Sequence, residues 1–440
     1  MSRQRGQSLA FLSFTLSVCL AAGLAASANA ASEAPSIKLV VRTERPSAVY
    51  EAGETATFIV ELTEKDQPVA SAEVDCELST DAFGNSEKRQ LAIVGGEARI
   101  QASRDKPCVL WVRATYRRDA DEPIKTVSGA AFTPERIEPS MPPPDDFDEF
   151  WEEQKARLAR IPVNAKLERV EIDDDSVEIY AVTMDNINDT KIYGYLGRPV
   201  GDGPFPASVR FQWSGVYSLD PNWVRWPAQQ GFLALNINAH AVENGKPKEY
   251  YRSLSEGPLS AYTWQGRESR ESCYFLRMYL ACHRAVDYLA SRPDWDGRHL
   301  IVTGSSQGGG QTIVAAGLNP RVTAVAACVP AMCDQTALAL PDRAPGWPRM
   351  VSVRDGKLDP VHVETARYYD AVNFARKITA PALFATGFAD LTCPSSSVYA
   401  AYNVLSGPKR MALDPLSEHS GNKPNWSKAY AELIEKHSKD

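Results

Sequence analysis

The chain has 440 residues, 44% hydrophobic and 23% charged, a balance that builds packed cores and excludes an intrinsically disordered protein. Its formal charge of −7, without a Lys/Arg run or zinc-finger spacing, excludes a nucleic-acid partner bound through its phosphates. Arg3 and Arg5, the apolar segment Leu9–Leu24 and Ala28-Asn29-Ala30 form the n-region, h-region and cleavage site of a signal peptide covering residues 1–30. The mature chain is expected to begin near Ala31 and to be exported, to the periplasm or outside the cell. A membrane anchor is the competing reading, but the segment is short and ends in small residues instead of a charged stop. No later apolar stretch is long enough to span a bilayer.

Of the eight cysteines, Cys19 leaves with the signal, and the odd remainder implies at least one free thiol or a bond between chains. Cys76 and Cys108, in strand-like runs of one segment, are the natural pair. The others are dispersed without C-x-x-C spacing, and no metal site is expected.

From residue 31 to 135, short alternating runs such as Ala56-Thr57-Phe58-Ile59-Val60-Glu61-Leu62 are separated by turn formers, including Phe83-Gly84-Asn85 and Gly95-Gly96, a pattern that predicts a small immunoglobulin-like β-sandwich. Residues 136–144, ending Met141-Pro142-Pro143-Pro144, are too rich in proline for a helix or a central strand and predict a linker. Residues 145–440 then alternate strands and helices. Helices are expected at Asp145–Arg160, Trp223–Gln230, Ser272–Ser291, Gln307–Leu318, Thr365–Arg376, Ser396–Leu405 and Lys428–His437. Strands are expected at Leu167–Ile172, Val177–Asp185, Thr190–Gly197, Ala207–Trp213, Phe232–Asn238, Leu300–Gly304, Val322–Val329, Ala382–Thr386 and Lys409–Leu413. This order implies a mostly parallel sheet covered on both faces, an α/β hydrolase architecture.

Gly304-Ser305-Ser306-Gln307-Gly308 follows the apolar run Leu300-Ile301-Val302 and precedes a helix-forming stretch. That is the setting of a nucleophile elbow, whose serine sits on a strained turn between a strand and a helix. A plain Gly/Ser turn fits the pentapeptide alone equally well, so the context decides for Ser306 as nucleophile. In this architecture the acid and the base follow the serine in chain order. His362, His419 and His437 qualify; only His419, in Ser417-Glu418-His419-Ser420-Gly421, directly follows the last predicted strand, which makes it the expected base. Asp390, on the turn after the penultimate strand, is the expected acid, with Asp334 the runner-up. The backbone N–H of Gln307 and one from the Gly215-Val216 loop are the candidate oxyanion donors.

Gly304-Ser305-Ser306-Gln307-Gly308-Gly309-Gly310 resembles the elbow of the acetyl xylan esterase and cephalosporin C deacetylase family. Asp390-Leu391-Thr392-Cys393-Pro394-Ser395-Ser396 with Ala400-Ala401-Tyr402-Asn403 is similar to that family's acid loop. Arg284-Ala285-Val286-Asp287-Tyr288-Leu289 and Phe147-Asp148-Glu149-Phe150-Trp151 are similar to further signatures, so the resemblance covers about Pro139 to the C-terminus. It implies Ser306, Asp390 and His419 as triad and the Val216 and Gln307 amides as oxyanion donors. Three positions depart from the family pattern: Ser214-Gly215-Val216 at the oxyanion loop, Ser395 in the acid loop, and Asn236-Ile237-Asn238-Ala239-His240-Ala241 where a D-x-R-G-x-G loop is usual. Members often form hexamers, so a homo-oligomer is possible.

These readings lead to an exported serine esterase that removes acetyl groups from xylan or xylo-oligosaccharides through an acyl-enzyme, with no cofactor. Tyr250, Tyr251, Tyr262 and Trp264, within the 242–270 insertion, and Trp347 are candidates to stack on sugar rings. A general short-chain carboxylesterase or a serine peptidase of the same fold stays open, as does a noncatalytic carbohydrate-binding or cell-surface module.

Overall fold

Alternating burial organises the first part of the chain into β1 (Ile37–Thr43), β2 (Val49–Tyr50), β3 (Thr55–Glu64), β4 (Gln67–Pro68), β5 (Ser71–Thr80), β6 (Ser86–Val94), β7 (Glu97–Ser103), β8 (Cys108–Tyr116) and β9 (Ile124–Phe132). The computed structural model describes residues 37–81, 86–118 and 122–439. The signal-peptide segment with Cys19, and the Phe83-Gly84-Asn85 turn, lie outside the described residues. Strands β1, β3 and β7, with β4 on β3, form one layer; β6, β5, β8, β9 and β2 form the other. The layers join at the β6–β7 corner, where Val94 faces Glu97 across Gly95-Gly96 and both glycines have positive φ. Phe58, Val60 and Leu62 from one layer meet Val74, Leu78 and Val112 from the other in a shared apolar core.

The expected Cys76–Cys108 bond is absent, and all seven described cysteines are unpaired. Register explains the correction: Cys76 lies opposite Ala114, while Cys108 lies opposite Phe132. Six residues of strand, roughly 20 Å, separate Ala114 from Cys108, beyond the reach of any disulfide.

The remaining elements are α1 (Phe147–Ala159), β10 (Lys166–Val170), β11 (Val177–Asp185), β12 (Lys191–Pro199), β13 (Phe205–Phe211), α2 (Asn222–Gln229), β14 (Leu233–Ile237), α3 (Lys248–Glu256), α4 (Phe275–Ala290), β15 (Trp295–Ser305), α5 (Gln307–Leu318), β16 (Ala324–Cys328), β17 (Val353–Arg354), β18 (Lys357–Leu358), α6 (Pro360–Tyr369), α7 (Ala371–Ala375), β19 (Ala382–Thr386), α8 (Ser395–Asn403), β20 (Lys409–Leu413) and α9 (Pro424–Lys439). The main sheet runs β10-β11-β12-β14-β13-β15-β16-β19-β20. It is antiparallel up to the β12–β14 pair and parallel beyond, as an α/β hydrolase requires. Every residue of β14, β16 and β19 is buried, which is why these strands read as mainly apolar runs, with only Asn236 and Thr386 polar.

Two helical expectations change. The helix expected at Thr365–Arg376 is two helices, α6 and α7, broken at Asp370, whose backbone is extended and whose carboxylate accepts N–H bonds from Asp334, Gln335 and Val372. Helix α3 lies in the insertion, where none was expected.

The proline-rich stretch is fastened along its length. Asn403 donates to the carbonyls of Pro134 and Ile137, the Ser140 amide and hydroxyl donate to Asp334, and Arg367 donates to the carbonyls of Pro142 and Pro143. Ala48, Val109, Trp111 and Ala131 belong to the same buried cluster as the main sheet. At Gly129 of β9 a Cβ would sit 2.8 Å from Phe388 Cβ, so the strand lies directly on the turn that leads to Asp390. A cavity of about 590 Å³ separates Arg42 and Thr43 at the end of β1 from Leu416 and Glu418 in the loop bearing His419.

Candidate active site

Ser306 stands between the end of β15 and the start of α5, with φ 57°, ψ −122°, a conformation that costs a side-chain-bearing residue of order 1–3 kcal/mol. The flanking glycines make this turn possible. A Cβ at Gly304 would stand 2.3 Å from the Gly308 carbonyl oxygen, and one at Gly308 2.4 Å from that of Phe211. Backbone bonds from Ser306 N–H to Cys328 and from Ala331 N–H to Ser306 lock the turn to the neighbouring strand.

The structure brings the three sequence-predicted groups together. Ser306 Oγ is 2.9 Å from His419 Nε2, and His419 Nδ1 is 2.8 Å from Asp390 Oδ2. Asp390 is fully buried, and its other oxygen accepts the amides of Thr392 and Cys393, which fixes the carboxylate's direction. A carboxylate oxygen at Nδ1 selects the tautomer with its proton there, leaving Nε2 free to take the serine proton. The His419 loop is itself bracketed: Lys423 donates to the carbonyls of Glu418, His419 and Gly421.

The runner-up acid, Asp334, is elsewhere engaged, holding Ser140 and paired with Arg343 at 2.7 Å. His362 is buried against Ser352, and His437 bonds the Leu433 carbonyl.

Gln307 is the first residue of α5, so its N–H has no intrahelical acceptor and is free to meet an anion. Its side chain accepts from the Tyr262 hydroxyl at 2.5 Å. Gly215, φ 114°, turns the loop that carries Val216, and its carbonyl lies 3.1 Å from His240 Nε2. A carbonyl only accepts, so Nε2 carries the proton and Nδ1 accepts from Tyr274, 2.6 Å away. Burial, reinforced by Arg277, pushes His240 down to about 4, so the ring is neutral at ordinary pH. Because C=O and N–H of one trans peptide point oppositely, His240's grip on the Gly215 oxygen turns the Val216 N–H away from it. Sequence reasoning missed this residue, although it stands in one of the three departures from the family pattern.

Of the four aromatic candidates in the insertion, Tyr262 reaches the site through Gln307 and packs edge-on against His240. Tyr251 is buried, its hydroxyl bonded to Glu243 and Lys246 within its own loop. Tyr250 and Trp264 are exposed; the Trp264 indole points at the Pro348 carbonyl. No group of three or more potential metal ligands occurs among the described residues, and none of their helices is long and apolar enough to cross a membrane.

Residues 135–436 match the model of the acetyl xylan esterase family. The chain belongs to this family. An acetyl esterase of Xylanibacter ruminicola is 31% identical over 376 residues, 84% of each chain. The acetyl xylan esterase of Paenibacillus sp. R4 superposes with a TM-score of 0.59 at 28% identity, covering 69% of this chain and 98% of its own. Acetyl xylan esterase 1 of Thermoanaerobacterium sp. JW/SL YS485, TM-score 0.57 at 21% identity, covers 69% and 97% and shows the same fold. As a member of the acetyl xylan esterase family the chain is a carboxylic ester hydrolase.

Proposed function

We propose that this chain removes acetyl groups from xylan or xylo-oligosaccharides, with Ser306 as nucleophile, His419 as base and Asp390 as the group that orients it. The hydrogen-bonded series Ser306–His419–Asp390, 2.9 and 2.8 Å, carries the reading. His419 Nε2 takes the serine proton as Oγ attacks the acetyl carbon, and the oxyanion forms against the amides of Gln307 and Val216. The intermediate collapses as the C–O bond to the sugar breaks and the imidazolium returns its proton to the leaving hydroxyl oxygen. Water, activated by the same imidazole, then attacks the acetyl-serine and releases acetate. His240 is a positioning residue for the Val216 amide, and Tyr262 does the same for Gln307.

The proposal includes export, with residues 1–30 as a cleaved signal peptide and a periplasmic or extracellular mature chain. It divides that chain into a β-sandwich domain at 31–135, a connector at 136–144 and a catalytic domain at 145–440. Ser306→Ala is the direct test. Its acetate release from acetylated xylan should fall by a factor of about 10⁴ or more with an unchanged circular dichroism spectrum, and undiminished release would refute the nucleophile.

A further inference from the structure

Strand β13 lies between β14 and β15 in a sheet covered on both faces, where a parallel strand ordinarily carries apolar side chains on each side. Ala207, Val209 and Phe211 comply and enter the main core. The intervening positions are Ser208 and Arg210, which therefore share the opposite face. Arg210 pairs with Asn236 on one side and Thr303 on the other, so its guanidinium rises from the middle of the sheet.

A cavity of about 290 Å³ opens there, walled by Arg210, Ser208, Trp223, Trp226 and Asn222, with Tyr430 of α9 beside Thr303. The guanidinium lies 5.0 Å from the centre of the Trp223 ring and 5.8 Å from that of Trp213. No carboxylate lines the cavity, and none contributes to the electrostatics of Arg210, which burial alone disfavours as a cation. Three other part-buried arginines have close partners: Arg198 pairs with Glu178 and Asp294, Arg292 pairs with Asp294, and Arg284 donates to four carbonyls. A half-buried guanidinium facing a cavity that offers it no carboxylate is matched by a planar anion, which it can grip with two parallel N–H bonds. The indole faces beside it suit the apolar face of a sugar ring. Trp213, in the loop that leads to Gly215 and Val216, packs on Trp223 at 4.7 Å, so a single ring contact links one wall of the cavity to that loop.

We propose that this cavity is a subsite for a uronic acid unit of the polysaccharide, its carboxylate held by Arg210 and its ring laid against Trp223 or Trp226. The assignment rests on the reading of the chain as a carbohydrate esterase and adds the charge of the preferred polymer.

Tryptophan fluorescence of the full mature chain, titrated with methyl glucuronate, methyl xyloside and inorganic phosphate, tests binding directly. A saturable change is expected with glucuronate and none with the xyloside. Arg210→Gln should weaken the response about tenfold or more, and Trp226→Ala, at a half-exposed rim position, should weaken it severalfold. Both variants should hydrolyse p-nitrophenyl acetate normally. On acetylated glucuronoxylan Arg210→Gln should raise KM and spare kcat, leaving neutral acetylated xylo-oligosaccharides unaffected. No saturable response to glucuronate, or an unaltered one in Arg210→Gln, overturns the subsite; phosphate binding as tightly as glucuronate overturns its assignment to a sugar. Glucuronate binding without any acetyl-ester hydrolysis would remove the esterase reading and leave the subsite standing.

Discussion

Asp390 illustrates how little freedom the site's side chains have: two amides hold one oxygen and an imidazole meets the other. Asp390→Asn keeps the shape but offers His419 a donor in one orientation, favouring the wrong tautomer. Acetate release should fall by a factor of about 10⁴ without loss of fold, measured as initial rates beside thermal melting. His240→Gln is expected to lower kcat on p-nitrophenyl acetate by about 10² with KM little changed, because it loosens the Val216 amide proposed as an oxyanion donor and not the substrate. The same imidazole makes stability depend on pH. Unfolded, it binds a proton below about 6.5; folded, only below about 4, with Arg277, Tyr274 and Tyr262 around it. Between these values the unfolded state holds more protons, so stability falls on acidification, by on the order of 3 kcal/mol in all. Melting temperatures of the wild type should drop across pH 6.5 to 4 more steeply than those of His240→Gln. Ser306, Asp390 and His419 were legible because chain order and turn chemistry restrict them to loops after particular strands. His240 was not, since its partner Gly215 is 25 residues away and only the folded sheet brings them together.

Among the elements, the β15–α5 turn and helix α4 are the least forgiving. Gly308→Ala would push a methyl into the Phe211 carbonyl and force α5 from β13, the strand that leads into the Gly215-Val216 loop. Urea denaturation should show a loss of about 3 kcal/mol or more, and activity should fall with it. Arg284 of α4 donates to the carbonyls of Leu158, Ile161, Pro162 and Asp185, gathering the end of α1 onto the body. Arg284→Met leaves those acceptors without it and should cost roughly 3–5 kcal/mol in the same assay. The parallel strands were readable because burial on both faces writes them as apolar runs. Helix α3 escaped because it is only nine residues long, Lys248–Glu256, and buries Tyr251 alone, so its short stripe of Tyr250, Tyr251 and Leu254 reads as part of a loop. The break at Asp370 escaped because the amides that fix its carboxylate include Asp334 and Gln335, far upstream.

At the scale of the molecule, residues from Ile37 onward cluster as one compact unit, and the sandwich shares buried apolar surface with the main sheet. Removing residues 31–133 would uncover the surface beneath Ala48, Val109, Trp111 and Ala131. The shortened chain is expected to aggregate or melt at lower temperature than the mature protein. Gly129→Val, which drives two methyl groups toward Phe388, should lower esterase rate more than a comparable substitution on the outer face of β6, measured at matched folded fraction. The proline-rich stretch contributes stiffness through bonds to Asp334, Asn403 and Arg367, which its composition alone does not disclose. The seat of Phe388 on Gly129 has a mechanical corollary. The sandwich is a fixed jig, not an arm on a tether, so a polymer lying across both parts would present its acetyl groups at one constant offset from Ser306.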